Sequence, residues 1–278
     1  MSFNFVSYEQ LVKDVTDWAT KLPKFDMVVG IPRSGMLPAT ILALYWNVPL
    51  ASLDDYLKGK TMGAGNRLKN LPITNVLVVD DSMFRGTSIQ QAKELLKDKK
   101  HKISYASVYI AKKEITPDYY YKLIPQTRAF QWNIMAHKEL LEISCWDIDG
   151  CLCVKPTPEQ NDDGDKYREF ILNTPPKYVP QHPIRCIITS RLEKFRKETE
   201  EWLKKHNIQY ERLVMLNYPT GEIRRRLGHH GVHKAEVYQR IKSILFIEDE
   251  PWQAQQIALK SGKACLCVGD WKLYGGQE

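Results

Sequence analysis

The chain has 278 residues, 43% hydrophobic and 26% charged, with a formal net charge of +7. That length suits two domains better than one, and the composition is that of a globular chain, not a disordered or fibrous one. No apolar run reaches the ~18 residues of a membrane span. The first ten residues lack a basic segment followed by an apolar one, so neither a membrane protein nor a secretory leader is expected and the cytoplasm is the expected location.

In chain order, Ser7-Tyr8-Glu9-Gln10 has the form of a capping box opening a helix through about Lys21. Phe25 to Gly30 reads as a buried strand, Ile31 to Gly35 as a tight loop, Met36 to Trp46 as an apolar helix and Val48 to Ser52 as a strand. Lys58 to Asn70, polar and rich in Gly, Lys and Arg, reads as a mobile loop. Val76 to Val79 is a continuous apolar strand, the mark of a parallel sheet covered on both faces. Thr87 to Lys97 is expected to be helical and Ile103 to Ile110 a strand. Around Ala136 to Glu142 the pattern restarts. Strands are expected at Ile143 to Trp146, Ile184 to Ile188, Leu213 to Leu216, Ile244 to Ile247 and Ala264 to Val268. Helices are expected within Asn161 to Leu172, then at Leu192 to His206, His233 to Ile241 and Gln253 to Ser261. This alternation predicts two α/β units, 1–138 and 139–278, each built on a doubly wound, Rossmann-like sheet.

The positive charge fits anionic partners, either small phosphorylated molecules or nucleic acid. Arg224-Arg225-Arg226, just ahead of His229, His230 and His233, is the more suggestive basic cluster; Lys97 to Lys102 reads as a solvated helix end. The six cysteines, Cys145, Cys151, Cys153, Cys186, Cys265 and Cys267, contain no C-x-x-C pair and read as buried free thiols.

Two stretches carry chemistry. In the first, Asp80 and Asp81 end an apolar strand and are followed by Ser82-Met83-Phe84-Arg85-Gly86-Thr87-Ser88 and a helix. Paired carboxylates can accept hydrogen bonds from vicinal ribose hydroxyls. The loop N–H groups, the hydroxyls of Ser82, Thr87 and Ser88, and the positive end of the helix dipole suit a 5′-phosphate. Gly86 permits close approach of backbone to oxygen. In the second, Trp146-Asp147-Ile148-Asp149-Gly150-Cys151-Leu152 again places two carboxylates after a strand, an arrangement that offers an aspartate nucleophile beside a metal.

The stretch Val76 to Ser88 resembles the phosphoribosyl pyrophosphate (PRPP) motif of type I phosphoribosyltransferases. Val29 to Met36, with Arg33, Ser34 and Gly35, is similar to their pyrophosphate-binding loop. The resemblance covers about residues 1 to 135 and implies that Lys58 to Asn70 is the loop that closes over the reacting centre. It also implies Mg²⁺ on the pyrophosphate and diol. Asp80-Asp81-Ser82 with Arg85 to Ser88 looks most like the version in glutamine amidophosphoribosyltransferases, whose glutaminase domain this chain lacks. The Ile31 to Gly35 loop is closer to purine-type transferases, in which an aspartate contacting the base usually stands at the place of Phe84. Phe130, Trp132 and Met135 are candidates for stacking on the base.

Asp147-x-Asp149-Gly150-x-Leu152 resembles motif I of the haloacid dehalogenase (HAD) phosphatases, and the companions of that motif follow in family order. The resemblance implies that Asp147 attacks phosphorus and that Asp149 acts as acid and then base. It implies that Thr189 binds a phosphoryl oxygen, with Ser190 and Arg191 beside it, and that Lys234, at the start of a helix, neutralises charge. Asp147, Asp149, Glu248 and Asp249 are implied to hold Mg²⁺, Glu250 being a further acid in the same motif. Short inter-motif segments imply a minimal cap and an open pocket. Thr189-Ser190-Arg191 with Thr199 to Leu203 is similar to the phosphatase half of polynucleotide kinase-phosphatases.

The expected protein is therefore a phosphoribosyltransferase fold followed by a HAD-like fold. It would use PRPP and a nucleobase-like small molecule in one domain and remove phosphate from a nucleotide, or from a nucleic-acid end, in the other. The alternative is a domain that binds PRPP or a nucleotide for regulation, fused to a nucleic-acid 3′-end phosphatase. The sequence is compatible with a homo-oligomer and names neither the base nor the coupling between the sites.

Overall fold

The computed structural model describes residues 3–62, 72–227 and 230–276, apart from the side chains at 224, 225 and 227. The chain divides into two compact units, Val6–Arg128 and Ala129–Glu278 with Met1–Phe5. Among the described residues no helix is long and apolar enough to cross a membrane.

The chain opens with β1 (Asn4–Val6), whose partner is a later strand, and enters α1 (Tyr8–Lys21). Ser7 caps this helix, its Oγ accepting the Gln10 N–H at 3.1 Å. The Gln10 side chain donates to Asp14 Oδ1 at 2.7 Å. Then come β2 (Met27–Gly30), α2 (Met36–Trp46), β3 (Leu50–Ser52), the short α3 (Leu53–Leu57), β4 (Asn75–Met83), α4 (Thr87–Leu96), β5 (Lys102–Ile110) and β6 (Tyr119–Leu123). They form a five-stranded sheet of order β3-β2-β4-β5-β6, parallel throughout. Met27, Val29, Val76 and Val78 pack on one face with Ile89, Ala92 and Leu96 of α4.

After β7 (Arg128–Phe130), which pairs with β1, the second unit runs α5 (Lys138–Leu141), β8 (Ser144–Trp146), α6 (Asp165–Asn173), β9 (Cys186–Leu192), α7 (Arg196–Lys205) and β10 (Leu213–Leu216). It continues through α8 (Gly221–Leu227), α9 (His230–Arg240), β11 (Leu245–Glu248), α10 (Pro251–Ser261), β12 (Ala264–Cys267) and β13 (Lys272–Tyr274). The sheet order is β10-β9-β8-β11-β12-β13, parallel except for the antiparallel edge strand β13. One face carries Trp146, Ile187, Ile247 and Leu266, with Phe3 from the chain start. The other carries Cys145, Cys186, Phe246, Cys265 and Cys267 under Ala254 and Ile257 of α10. All six cysteines are buried and free, as their apolar setting implied.

Both sheets are α/β with parallel strands, and most expected elements are present. Three differences bear on the sites. β4 runs on past Val79 to Met83, because β5 offers ladder partners as far as Met83 opposite Ile110. Asp80 and Asp81 therefore sit inside a strand, not after it. β9 likewise runs through Thr189 to Leu192, paired at its end with Leu216, so the expected helix from Leu192 begins only at Arg196, after a short 3₁₀ turn. Lys234 lies in the second turn of α9, because that helix starts at His230, earlier than its apolar pattern suggested. Strands β1, β6, β7 and β13 and helices α3, α5 and α8 escaped the sequence reading; all are short, and β6 is largely exposed.

In each sheet the chain builds strands to one side and then returns to the other. The reversal falls between β2 and β4 in the first unit and between β8 and β11 in the second. The crevice beyond the strand C-termini at such a reversal is where open α/β sheets bind ligands.

Candidate active sites

Both motifs lie at these crevices. In the first unit, the turn after β2 brings Ser34 beside the end of β4, where its Oγ donates to Asp81 Oδ1 at 2.8 Å. Gly35 permits this approach: a Cβ there would lie 2.5 Å from Ile31 O and 2.8 Å from Val79 O. Asp80 Oδ1 accepts the Asp81 N–H at 2.9 Å. Gly86, at φ +75°, turns the chain into α4. A cavity of about 240 Å³ is lined by Asp80 and by Ser82 through Ile89, so the expected residues from Ser82 to Ser88 do surround one space. Arg33, Arg85, Thr87 and Ser88 are exposed to solvent. Phe84 is 45% exposed, and the Arg85 guanidinium stacks over its ring at 5.7 Å. Behind the cavity Arg128 is buried and donates to Met83 O and Ile124 O, which ties the end of β4 in place. Burial, and then the charge of Asp81, lifts the Asp80 carboxyl from its ordinary 3.8 to about 8. Such a group favours a ligand that donates hydrogen bonds to the carboxylate. In the Lys58–Asn70 loop, residues 63–70 lie outside the described residues. Phe130 and Trp132 stack on each other with ring centroids 4.9 Å apart, and Met135 packs on the core of the second unit.

In the second unit, Asp147 follows β8, Glu248 ends β11 and Asp249 follows it. Ligand oxygens of these three buried groups lie within 4.8 Å of one another. Lys234 reaches in from α9 and donates to Asp147 Oδ2 at 2.6 Å, Glu248 Oε2 at 2.7 Å and Gln253 Oε1 at 3.1 Å. Asp147 Oδ1 is buried with no partner among the described residues. Burial pushes the carboxyls of Asp147 and Glu248 up, the latter to about 8, against the opposing pull of Lys234. For Lys234 burial works the other way, but the two carboxylates outweigh it and hold the ammonium charged. Gly150, at φ +87°, brings its backbone against Asp249, where a Cβ would lie 2.1 Å from Oδ2. Thr189 and Ser190, within β9, line the same pocket of about 220 Å³ as Asp147, Asp149, Lys234 and Asp249.

Three carboxylates around an orphaned buried oxygen form a hard-oxygen donor set, which suits Mg²⁺. Asp149 departs from the expected ligand set. Its carboxylate is taken by Arg191, with Nη2 at 2.6 Å and Nε at 3.2 Å, and by the Tyr167 hydroxyl at 2.9 Å. Burial alone would raise Asp149, but these partners hold it below the usual carboxylate range. The motif resemblance implies phosphate binding by Arg191. It is fully buried and spends its guanidinium on Asp149, Thr199 and Cys153, because β9 carries it beneath the pocket and not to the rim. The acid beside the cluster is clarified too: Lys155 pairs with both Asp249 and Glu250, and Glu250 is half-buried at the rim.

Sequence reasoning missed Lys155, Tyr167 and Gln253. Lys155 lies in an irregular segment whose path no periodicity reveals, and Tyr167 in the helix after it; Gln253 lies in the first turn of α10, directly after the acidic run that ends β11. Of the histidines, His229 lies outside the described residues, as do the side chains of Arg224 and Arg225. Among the described residues the only group of three metal-ligand side chains is Asp147, Glu248 and Asp249.

Residues 7–137 match the family described as "Phosphoribosyl transferase domain". The purine phosphoribosyltransferase of Pyrococcus horikoshii is similar to the chain at 23% identity, with 48% of this chain and 94% of that one covered and a TM-score of 0.37. The xanthine-guanine-hypoxanthine phosphoribosyltransferase of Helicobacter pylori is similar at 22% identity over 48% and 94%, with a TM-score of 0.37. A hypoxanthine phosphoribosyltransferase from Staphylococcus aureus is similar at 18% identity over 43% and 76%, with a TM-score of 0.31. Among curated proteins none matches the chain.

Proposed function

We propose, from the premise that residues 7–137 are a phosphoribosyltransferase domain, that the chain is a bifunctional enzyme. The first site transfers a phosphoribosyl group between PRPP and a nucleobase-like acceptor. The second, HAD-like in the order of its motifs, is a phosphatase that acts on the nucleotide so formed. The domains proposed for these tasks are 1–138 and 139–278.

In the first site the ribose diol would lie against Asp80 and Asp81, the 5′-phosphate on the N–H groups and hydroxyls from Ser82 to Ser88, and the pyrophosphate near Arg33, Ser34 and Gly35. The bond from ribose C1′ to the pyrophosphate oxygen breaks as an acceptor nitrogen bonds to C1′. The leaving charge is met by Arg33 and backbone donors. Mg²⁺ would supply further stabilisation of that charge.

The observation that carries the phosphatase reading is the unpartnered Asp147 Oδ1, set in a cluster whose other members neutralise charge. Asp147 attacks phosphorus, the ester oxygen leaves with a proton, and water then cleaves the aspartyl-phosphate to return the carboxylate and inorganic phosphate. Lys234 holds Asp147 in place by its Oδ2, leaving Oδ1 for the attack. Thr189 and Ser190 receive phosphoryl oxygens. Asp149 in its present pairing is ionised, the form that takes a proton from water in the second step; to supply the leaving oxygen's proton in the first, it must be released by Arg191 and take up a proton from solvent. Asp147, Glu248 and Asp249 would hold Mg²⁺, which supplies a positive charge for the phosphoryl oxygens.

Phosphorus NMR of the wild type and Asp147→Asn with PRPP, Mg²⁺ and a set of bases tests both halves. Pyrophosphate release that needs a base, with a monophosphate accumulating only in the variant, is the expected result. PRPP left intact with every base would overturn the transferase. The exposed Phe84, standing where purine-type transferases carry a base-contacting aspartate, favours the second reading: the first site binds PRPP or a nucleotide for regulation and the second acts on nucleic-acid 3′-phosphates. That reading predicts PRPP binding without turnover.

A further inference from the structure

Among the described residues two lysines serve the acidic cluster of the second unit, and they are held very differently. Lys234 is buried and tied at three points, to Asp147 Oδ2, Glu248 Oε2 and Gln253 Oε1. Its ammonium cannot reach water without breaking all three. Lys155 belongs to the irregular segment that follows β8. Its Nζ lies 2.6 Å from Asp249 Oδ2 and also pairs with Glu250. The Lys155 side chain lines the Asp147 pocket yet is 45% exposed.

Asp249 cannot follow its partner outward. Its carboxylate is 6% exposed and lies against the Gly150 backbone, where a Cβ would come within 2.1 Å of Oδ2. A buried carboxylate that loses its ammonium keeps an uncompensated charge. Lys155, by contrast, leaves into water at little cost, because an ammonium on a flexible stem is well hydrated there. The two ends of this ion pair therefore differ: one is fixed and needs a cation, and the other is free to go once a different cation serves.

A divalent cation serves Asp249 better than Lys155 does. It brings twice the charge, and it can be shared by Asp147, Glu248 and Asp249, whose ligand oxygens lie within 4.8 Å of one another. The ammonium and the metal would compete for one carboxylate and repel each other at close range. We propose that Lys155 is the exchangeable counter-ion of Asp249: a positioning residue that neutralises this carboxylate and is displaced toward the pocket mouth when a divalent cation binds. The inference rests on the reading of the three carboxylates as a Mg²⁺ site, and not on the phosphatase chemistry. Lys155 thereby sets the Mg²⁺ concentration at which the site fills. If it covers Asp249 about nine parts in ten, the apparent affinity is about tenfold below that of the uncovered carboxylates.

The test uses the full-length chain, treated with chelator and dialysed, and Mg²⁺ alone as the probe. Isothermal calorimetry should give a Mg²⁺ Kd about tenfold lower for Lys155→Met than for wild type, while Lys155→Arg, which keeps the charge, stays near wild type. Lys166→Met is the control, since it removes an exposed charge of α6 that does not line the pocket. The wild type also answers without any variant. Acetylation of its amines, read by mass spectrometry, should label Lys155 several-fold faster once Mg²⁺ is added, and Lys166 at an unchanged rate. Equal Kd values for wild type and Lys155→Met, an equal gain in Lys166→Met, or Lys155 labelling indifferent to Mg²⁺ would overturn the proposal and leave the metal site standing. Mg²⁺ binding to none of these proteins would remove the metal site and the proposal together.

Discussion

Lys234→Met is the most direct challenge to the account of the second site. The wild-type ammonium lies 2.6 Å from Asp147 and 2.7 Å from Glu248, and all three side chains are almost fully buried. Methionine preserves most of the volume, so packing changes little and the loss is chiefly electrostatic. Removing one partner of a buried ion pair costs about 3–5 kcal/mol, because the remaining charge keeps its desolvation penalty without its compensation. At about 2–4 °C per kcal/mol for a domain of this size, the unfolding midpoint should fall by roughly 10 °C. Trp146 and Trp202, both fully buried in this unit, report the transition by fluorescence. Millimolar Mg²⁺ should recover part of the loss, since a divalent cation among Asp147, Glu248 and Asp249 replaces the missing charge. The double variant Lys234→Met with Glu248→Gln should lose less than the sum of the two single variants, because the second change removes an uncompensated carboxylate. Strict additivity, or a single-variant loss under about 1 kcal/mol, would refute the reasoning.

Asp80→Asn tests the first site through pH. Its carboxyl is raised from 3.8 to about 8, first by burial and then by Asp81. A raised acid binds its proton more tightly when folded, so its destabilising effect is absent below the unfolded value, grows as pH rises through that window and is complete above the folded value. At about 1.4 kcal/mol per pH unit the upper bound is roughly 5–6 kcal/mol, and solvent relaxation should reduce it to about half. Asp80→Asn should therefore melt higher than wild type above the window and equally below it, while losing PRPP binding by calorimetry; an unchanged pH profile of melting would count against the buried pair. Gly150→Ala should cost at least about 2 kcal/mol and weaken Mg²⁺ binding, since the new Cβ meets Asp249 and the φ is left-handed; melting with and without Mg²⁺ measures both. Arg191→Met should cost about 3–5 kcal/mol, because it strands Asp149 without a charge partner; a phosphate-binding role would instead raise KM with stability intact.

The two parallel α/β units, the acidic motifs and most of their companions were legible because strand periodicity and local turn chemistry act over a few residues. Apolar runs such as Val76 to Val79 are strands in any sheet covered on both faces, and Asp147, Thr189, Lys234 and Asp249 each stand at a recognisable place relative to such a run. Strand ends were less legible. Where β4 and β9 stop depends on whether a neighbour still offers ladder partners, and the neighbour is distant in sequence.

The sequence by itself placed Asp80 and Asp81 at one crevice and Asp147, Thr189, Lys234 and Asp249 at the other, each beside a readable apolar run. Only the tertiary structure decided what those groups do to one another. Asp149 and Arg191 are adjacent because β8 and β9 are neighbours, and the pairing leaves Asp147, Glu248 and Asp249 as the carboxylates placed to share a cation. Lys155 reaches the second site along an irregular segment with no repeating pattern to read, and Tyr167 of α6 meets Asp149 only through the packing of that helix. Even the first residues belong elsewhere: Phe3 completes the core of the second unit, and β1 pairs with β7. The physical reason is common to all of these. Local propensity is a property of adjacent residues, whereas charge pairing, desolvation and shared cavities depend on three-dimensional proximity between residues separated by much of the chain.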